Sequence, residues 1–310
     1  MGTSSSLVRL HPEVADALRD GRPVVALEST LIAHGLPWPL NLETARAAEN
    51  AVREEGAVPA TIAVCRGRPM IGLTSAQLEE LAANNTVLKA SRRDLAVVVA
   101  QRLTAATTVA ATMFLADQAG IRFFATGGTG GVHRGKSHTW DISADLLEIA
   151  RTPVAVVCAG AKSILDISRT LEVLETHGVL VVGYRTDDFP AFFVQSSGEP
   201  VNARVDTPQE AAALVRAHWQ LGGAGLVLAQ PVVADLALEQ SEFESAFEQV
   251  EKEAVHAGVR GKELTPFLLT NLAEVTEGKT LRANHALVVS NARLAAQIAS
   301  AFAVEYHTDC

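Results

Sequence analysis

Short β-branched and apolar runs alternate with amphipathic runs along nearly the whole chain, the pattern of a layered α/β fold. Residues 23–30, 60–67 with 69–73, 121–126, 153–160, 179–184 and 224–231 read as strands. Residues 42–56, 74–84, 107–120, 141–152, 162–178, 206–223, 241–258 and 291–303 carry helical spacing. Residues 94–103 suit either state. Gly56 stands where a helix C-terminus wants a glycine. Thr207, Pro208 and Glu210 form a capping box with a first-turn proline, and Ser241 with Glu244 forms a second. The successive β-α units of residues 153–184 imply parallel strands covered on both faces. The expectation is one domain spanning residues 1–310, a three-layer α/β/α fold with a central, mostly parallel or mixed sheet. The pattern does not set the strand order.

Composition narrows the range of partners. The chain has 310 residues, 48% of them hydrophobic, and a formal net charge of -9. A broad nucleic-acid grip needs a basic surface that releases counterions, and no Lys/Arg run supplies one. Any phosphate it binds is expected to belong to a small molecule in a pocket. Cys65, Cys158 and Cys310 form neither a disulfide framework nor a zinc pattern, which suits a reducing cytoplasm. The N-terminus lacks the apolar core of a secretory signal. The longest apolar stretches, such as Val154–Ala161, are too short for a bilayer, so a cytoplasmic protein with no membrane partner is expected.

Candidate chemistry gathers at a few points. Thr126, Gly127, Gly128, Thr129, Gly130 and Gly131 directly follow an apolar strand, and His133 and Arg134 come next. Successive glycines let backbone N–H groups converge on an anion; the alternative is a plain surface turn. The loop runs on into polar, irregular sequence rather than opening a helix, which argues against a dinucleotide fingerprint. Lys162 lies just beyond a buried strand, where ligands of open α/β sheets collect, although a solvated charge is the default for a lysine. Glu28 interrupts an apolar strand. Burial would raise its pKa, as a proton donor requires, unless an arginine simply pairs with it. Asp141 and Asp145 flank Ser143, and this group is either a helix cap or part of a hard-cation site. Lys89, Ser91, Arg92 and Arg93 form the tight cationic cluster, with Arg92 read as a solvated helix start.

Taken in order, the stretches ALEST with HGLPWP, KASRRDL, ATTVAATM, FATGGTGGVHRG, DISADL, VCAGAKSILD, FPAFF, GKELTPFLL and the closing Asn284…Asn291 pair resemble the pseudouridine-5'-phosphate glycosidases, or pseudouridylate synthases. The resemblance runs from about Val24 to the last helix. It implies a lyase that reversibly cleaves the C–C glycosidic bond of pseudouridine 5'-phosphate to ribose 5-phosphate and uracil, in pseudouridine catabolism. It also implies Lys162 as covalent nucleophile, Glu28 as proton donor and Asp141 as ligand to Mn2+, one per subunit, or to another divalent cation. Lys89, Val109, Ser143, Ala144 and Asp145 match substrate-binding positions, and Thr126, Gly127, Gly128, His133 and Asn284 further pocket positions. A homotrimer with an α/β/α core is implied as well. The chain departs from the family pattern at Gln230-Pro231-Val232-Val233 (usually Asn-Pro-Ile-Pro), at Leu40-Asn41 (usually Gln-Asn) and at Ser290-Asn291 (commonly Asn-Asn).

The chemistry explains the need for such groups. A carbon leaving atom must be protonated as its bond breaks, and a covalent amine–sugar adduct splits one hard step into easier ones. Two other readings compete: a nucleotide-binding sugar kinase or transferase, which the missing G-x-x-x-x-G-K-[ST] motif disfavours, and a non-catalytic nucleotide sensor, which would not need Lys162, Glu28 and Asp141 together.

Overall fold

The computed structural model describes residues 7–84, 86–134, 141–259, 261 and 264–306. Seven strands form a parallel core in the spatial order Val58–Cys65, Val24–Leu27, Phe123–Ala125, Ala155–Cys158, Leu226–Ala229, Leu180–Tyr184 and Ala203–Val205. Four of these, those beginning at Val24, Phe123, Ala155 and Leu226, are sealed to 6% exposure or less, so their runs are apolar throughout instead of alternating. Beyond Val58–Cys65 the sheet becomes mixed. This strand pairs antiparallel with Arg68–Ile71 and with Ala105–Thr107, which in turn carries Leu88–Ala90. Arg66 and Gly67 turn that hairpin with φ of 51° and 76°, the two positive values a tight two-residue turn demands.

Helices cover both faces. The helix Lys279–Tyr306 packs on strands Val24–Leu27, Phe123–Ala125 and Ala155–Cys158 and on the helices Leu40–Glu54 and Pro208–Gln220. By length and composition its segment Lys279–Val304 would cross a membrane, contrary to the expectation that no apolar stretch is long enough. Half of its most apolar window is buried inside the fold, with Ala283, Leu287, Ala292, Ala295 and Ile298 fully enclosed, so it is explained as a core helix.

Local signals fare unevenly. Thr74 caps Ser75–Ala83 in a full capping box with Gln77, and Thr207 caps Pro208–Gln220. Residues 94–103 resolve as a helix, Leu95–Ala100. The segment from Lys162 becomes helical only at Ile167, capped by Asp166, which leaves Lys162 at the start of a turn closed by the Leu165 N–H on its carbonyl. The capping box at Ser241 is overturned. The helix begins at Gln240 without a side-chain cap, and Glu244 instead pairs with Arg134 at 2.7 Å and accepts from Gln240.

Candidate functional site

The chain leaves Val24–Leu27 to build Val58–Cys65 on one side and returns to place Phe123–Ala125 on the other. Strand order therefore reverses between Val24–Leu27 and Phe123–Ala125. In open parallel sheets the crevice at the carboxyl ends of such a pair is a natural binding site. Glu28 and Thr126 are the first residues past those two ends, and the Thr126 hydroxyl donates to the Glu28 carboxylate. Lys162 comes four residues beyond the next strand over.

A cavity of about 410 Å³ opens there. Its wall includes Glu28, Lys89, Val109, His133, Asp141, Ser143, Ala144, Asp145 and Lys162 together with Ser91 and Arg93. An inner recess of about 40 Å³ shares Glu28, Lys89 and Lys162 and adds Gly127, Gly128 and Asn284. Every residue that the family resemblance assigns to the site, Thr126 excepted, thus lines one of the two spaces, and Thr126 is bonded to a residue that lines both; Thr129, Arg92 and Arg134 line neither.

Electrostatics follow from this burial. Desolvation pushes the Glu28 carboxyl above its ordinary range, against the opposing pull of Lys162 and the Thr126 hydroxyl. Burial, reinforced by the charge of Lys162, holds the Lys89 amine below its ordinary range, while Asp145 and Glu28 pull the other way. Lys162 and Lys89 form no side-chain hydrogen bond or ion pair with a described residue, so both amines are available to a ligand.

The glycine loop is shaped by packing. A Cβ on Gly130 would lie 2.2 Å from Ser143 Oγ, one on Gly131 2.4 Å from Thr170 Oγ1, and one on Gly128 2.6 Å from the Phe192 ring. None of these glycines has a positive φ. Several loop N–H groups are already committed, Thr129 to the Gly160 carbonyl and Gly130 to Asp145 Oδ2. The cations facing the outer cavity are Lys89, Arg93 and Lys162. Arg92 does open a short helix, Arg92–Asp94, but its side chain is tied down instead of solvated. Its Nη1 donates to both oxygens of the buried Glu148, at 2.6 and 2.9 Å, and the guanidinium covers the Phe114 ring.

Ser143, not Asp141, caps the helix Ala144–Ile149. Asp145 spends both carboxylate oxygens on backbone N–H groups, those of Ala110 and Gly130, each at 2.9 Å. It thereby ties the loop to the start of the helix Val109–Gln118. Among the described residues no group of three or more His, Cys, Asp or Glu could hold a metal ion. A hard cation beside Asp141 would therefore take one protein carboxylate and draw its remaining ligands from water and substrate oxygens, a mode open to small divalent ions.

Sequence reasoning passed over His34, Thr265 and Phe192, which also line the site. Phe192 carried a signal only the backbone reveals: its φ is 62°, rare for a bulky residue, and its N–H is anchored on the Ala159 carbonyl. Of the departures, Gln230 and Leu40 line neither space. Gln230 instead donates to Ser290 at 2.5 Å.

The model of the family described as Indigoidine synthase A like protein matches residues 13–301. A protein of Caldanaerobacter subterraneus subsp. tengcongensis named pseudouridine-5'-phosphate glycosidase is 55% identical over 293 residues, covering 94% of this chain and 95% of that one. One of Geobacillus kaustophilus with the same name is 54% identical over 288 residues, covering 93% and 96%. Among solved structures, the prealnumycin C-glycosynthase AlnA in complex with ribulose 5-phosphate superimposes with a TM-score of 0.90 at 40% identity, over 98% of this chain and 99% of that one. An indigoidine synthase A-like protein of Thermotoga maritima gives 0.87 at 37%, over 97% and 98%.

Proposed function

Since the chain belongs to the indigoidine synthase A-like family, among the pseudouridine-5'-phosphate glycosidases, we propose that it cleaves pseudouridine 5'-phosphate reversibly to ribose 5-phosphate and uracil. The observation that carries this reading is the convergence of Glu28, whose pKa burial raises, and two amines unpaired among the described residues, Lys89 and Lys162, on one cavity at the sheet's switch point. AlnA, a C-glycosynthase of the same fold, was crystallised with a pentulose 5-phosphate, which supports a sugar phosphate as the ligand class.

In the proposed reaction the Lys162 amine bonds to C1' as the C1'–O4' bond breaks and the ring oxygen takes a proton. Glu28 then delivers its proton to C5 of the base. The lone pair of the Lys162 nitrogen forms a C=N bond to C1' as the C1'–C5 bond breaks, and the bonding pair returns to the uracil ring. Water hydrolyses the resulting iminium and releases ribose 5-phosphate. Burial suits Glu28 to this task, since a carboxyl with a raised pKa keeps its proton to higher pH than an ordinary one. Lys89 and Arg93 neutralise the phosphate, and that remote binding energy holds C1' against the lysine. A divalent cation, Mn2+ in the proposed enzyme, would be held by Asp141 and would supply Lewis acidity and orientation. The proposed setting is a cytoplasmic homotrimer that disposes of pseudouridine.

The test is synthesis. Uracil, ribose 5-phosphate and Mn2+ incubated with the protein should yield pseudouridine 5'-phosphate by chromatography and mass. No product in either direction, with or without the metal, rejects the proposal. A sugar kinase would instead consume ATP, and a sensor would bind the nucleotide unchanged.

A further inference from the structure

The inner recess holds two polar atoms that the fold leaves without partners. His34 Nε2 and Asn284 Oδ1 are both buried, and neither finds a hydrogen-bond partner among the described residues. Both residues line the same small space as Glu28, Lys89 and Lys162. A buried polar atom left unpaired loses its hydration without compensation, so two in one recess point to a ligand that satisfies them.

Their chemistry says what that ligand must offer. The Leu88 backbone lies against the His34 ring and works against the lowering of its pKa, while Nε2 has no hydrogen-bond partner among the described residues. In the neutral tautomer that carries its proton on Nδ1, Nε2 is an acceptor. Burial lowers the His34 pKa, assisted by the charge of Lys89, which keeps the ring neutral. Asn284 Oδ1 is an acceptor by nature. The recess thus presents two acceptors and calls for two donors. Apart from Glu28, Lys89, Lys162 and two threonines, Thr30 and Thr265, its lining is flat or apolar: Phe192, Leu31, Leu269, Pro266 and the bare backbones of glycines such as Gly127 and Gly128. The Phe192 ring would lie 2.6 Å from a Cβ at Gly128, so the glycine keeps this wall thin. A planar ring carrying two N–H groups fits this chemistry.

Uracil attached to a sugar through carbon has two ring N–H donors, N1 and N3. Attached through N1 it keeps only one. Resting on the reaction proposed above, we propose that His34 Nε2 and Asn284 Oδ1 each accept one ring N–H of the base, so that the recess selects a carbon-linked uracil over its nitrogen-linked isomer.

The experiment is equilibrium binding of pseudouridine 5'-phosphate and of UMP to the full chain carrying Lys162→Ala, which leaves the ligands intact. With His34 present, pseudouridine 5'-phosphate should bind tighter by about tenfold or more, because a site built to pair a donor rejects the isomer lacking it. Adding His34→Phe should shrink that ratio toward one, mainly by weakening pseudouridine 5'-phosphate. His34→Gln, whose amide oxygen can stand in for Nε2, should restore most of it. Equal binding of the two isomers with His34 present, an unchanged ratio in His34→Phe, or a Gln variant indistinguishable from Phe would each overturn the proposal. Uracil release by the wild-type chain is followed separately. Its absence alongside an intact binding ratio would strike the proposed reaction and spare the base-reading role.

Discussion

The Thr126 hydroxyl donates to the Glu28 carboxylate across the ends of two adjacent parallel strands. The bond favours the charged carboxylate, while burial favours the protonated one and prevails. Thr126→Val removes the one hydrogen bond among the described residues that lowers the Glu28 pKa, and should raise that pKa further. The alkaline limb of the pH profile for pseudouridine 5'-phosphate cleavage should then move to higher pH, whereas Thr126→Ser should leave it in place. A limb that stays put in the valine variant would mean that Glu28 does not set it.

Glu28 should also oppose stability where it serves function. Its carboxyl binds a proton more tightly in the folded chain than at its ordinary value of 4.5. The stability this contributes is fully present below that value and is lost as pH rises through the folded pKa. Glu28→Gln should therefore melt at a higher temperature than the wild type in neutral and alkaline buffer, with the gap closing in acid. Cleavage should fall by about 10² to 10⁴, the usual worth of a general acid. Thermal melts across pH check the first expectation and uracil release the second.

Lys162→Ala should abolish turnover by orders of magnitude while the nucleotide still binds, because Lys89 and Arg93 remain in the cavity wall. Borohydride added during turnover should fix a pentose phosphate to Lys162, read as a mass increase on the peptide containing it. Wild-type turnover in the alanine variant would refute the covalent role.

Gly130 tests the packing account of the loop. An alanine methyl would meet Ser143 Oγ and Asp145 Oδ2 at 2.2 and 2.7 Å. Gly130→Ala should cost roughly 1–3 kcal/mol in urea unfolding, as overpacking does, and weaken substrate binding by displacing Ser143 and Asp145. Gly222→Ala is the control for backbone strain alone, since Gly222 has a φ of 84° and open space around its Cβ position.

The sequence made the layers legible because buried parallel strands are apolar end to end, as at Ala155–Cys158. It made the candidate residues legible because Glu28 and Thr126 follow directly on such strands and Lys162 comes four residues beyond one. The spatial order was not legible: nothing local to Leu226–Ala229 says that it inserts between Ala155–Cys158 and Leu180–Tyr184. Arg92 was misread because its partner, Glu148, is 56 residues away. His34 escaped notice because it ends a five-residue helix with no marked periodicity, and its meaning lies in a buried nitrogen that only the packed fold exposes as unpaired.

Two of the departures from the family pattern meet in space. Gln230 follows the strand Leu226–Ala229 and donates to Ser290, in the helix Lys279–Tyr306, at 2.5 Å. The extra methylene of glutamine reaches a hydroxyl where the usual asparagine would face a longer asparagine side chain. The pair should therefore behave as one unit. Gln230→Ala and Ser290→Ala should each cost about 0.5–1.5 kcal/mol, and the double variant clearly less than their sum. Gln230→Asn should destabilise alone and be rescued when Ser290→Asn accompanies it. Neither residue lines the cavity or its recess, so kcat/KM of the rescued pair should stay close to that of the wild type. Strict additivity in the urea cycle would show that the two changes arose independently.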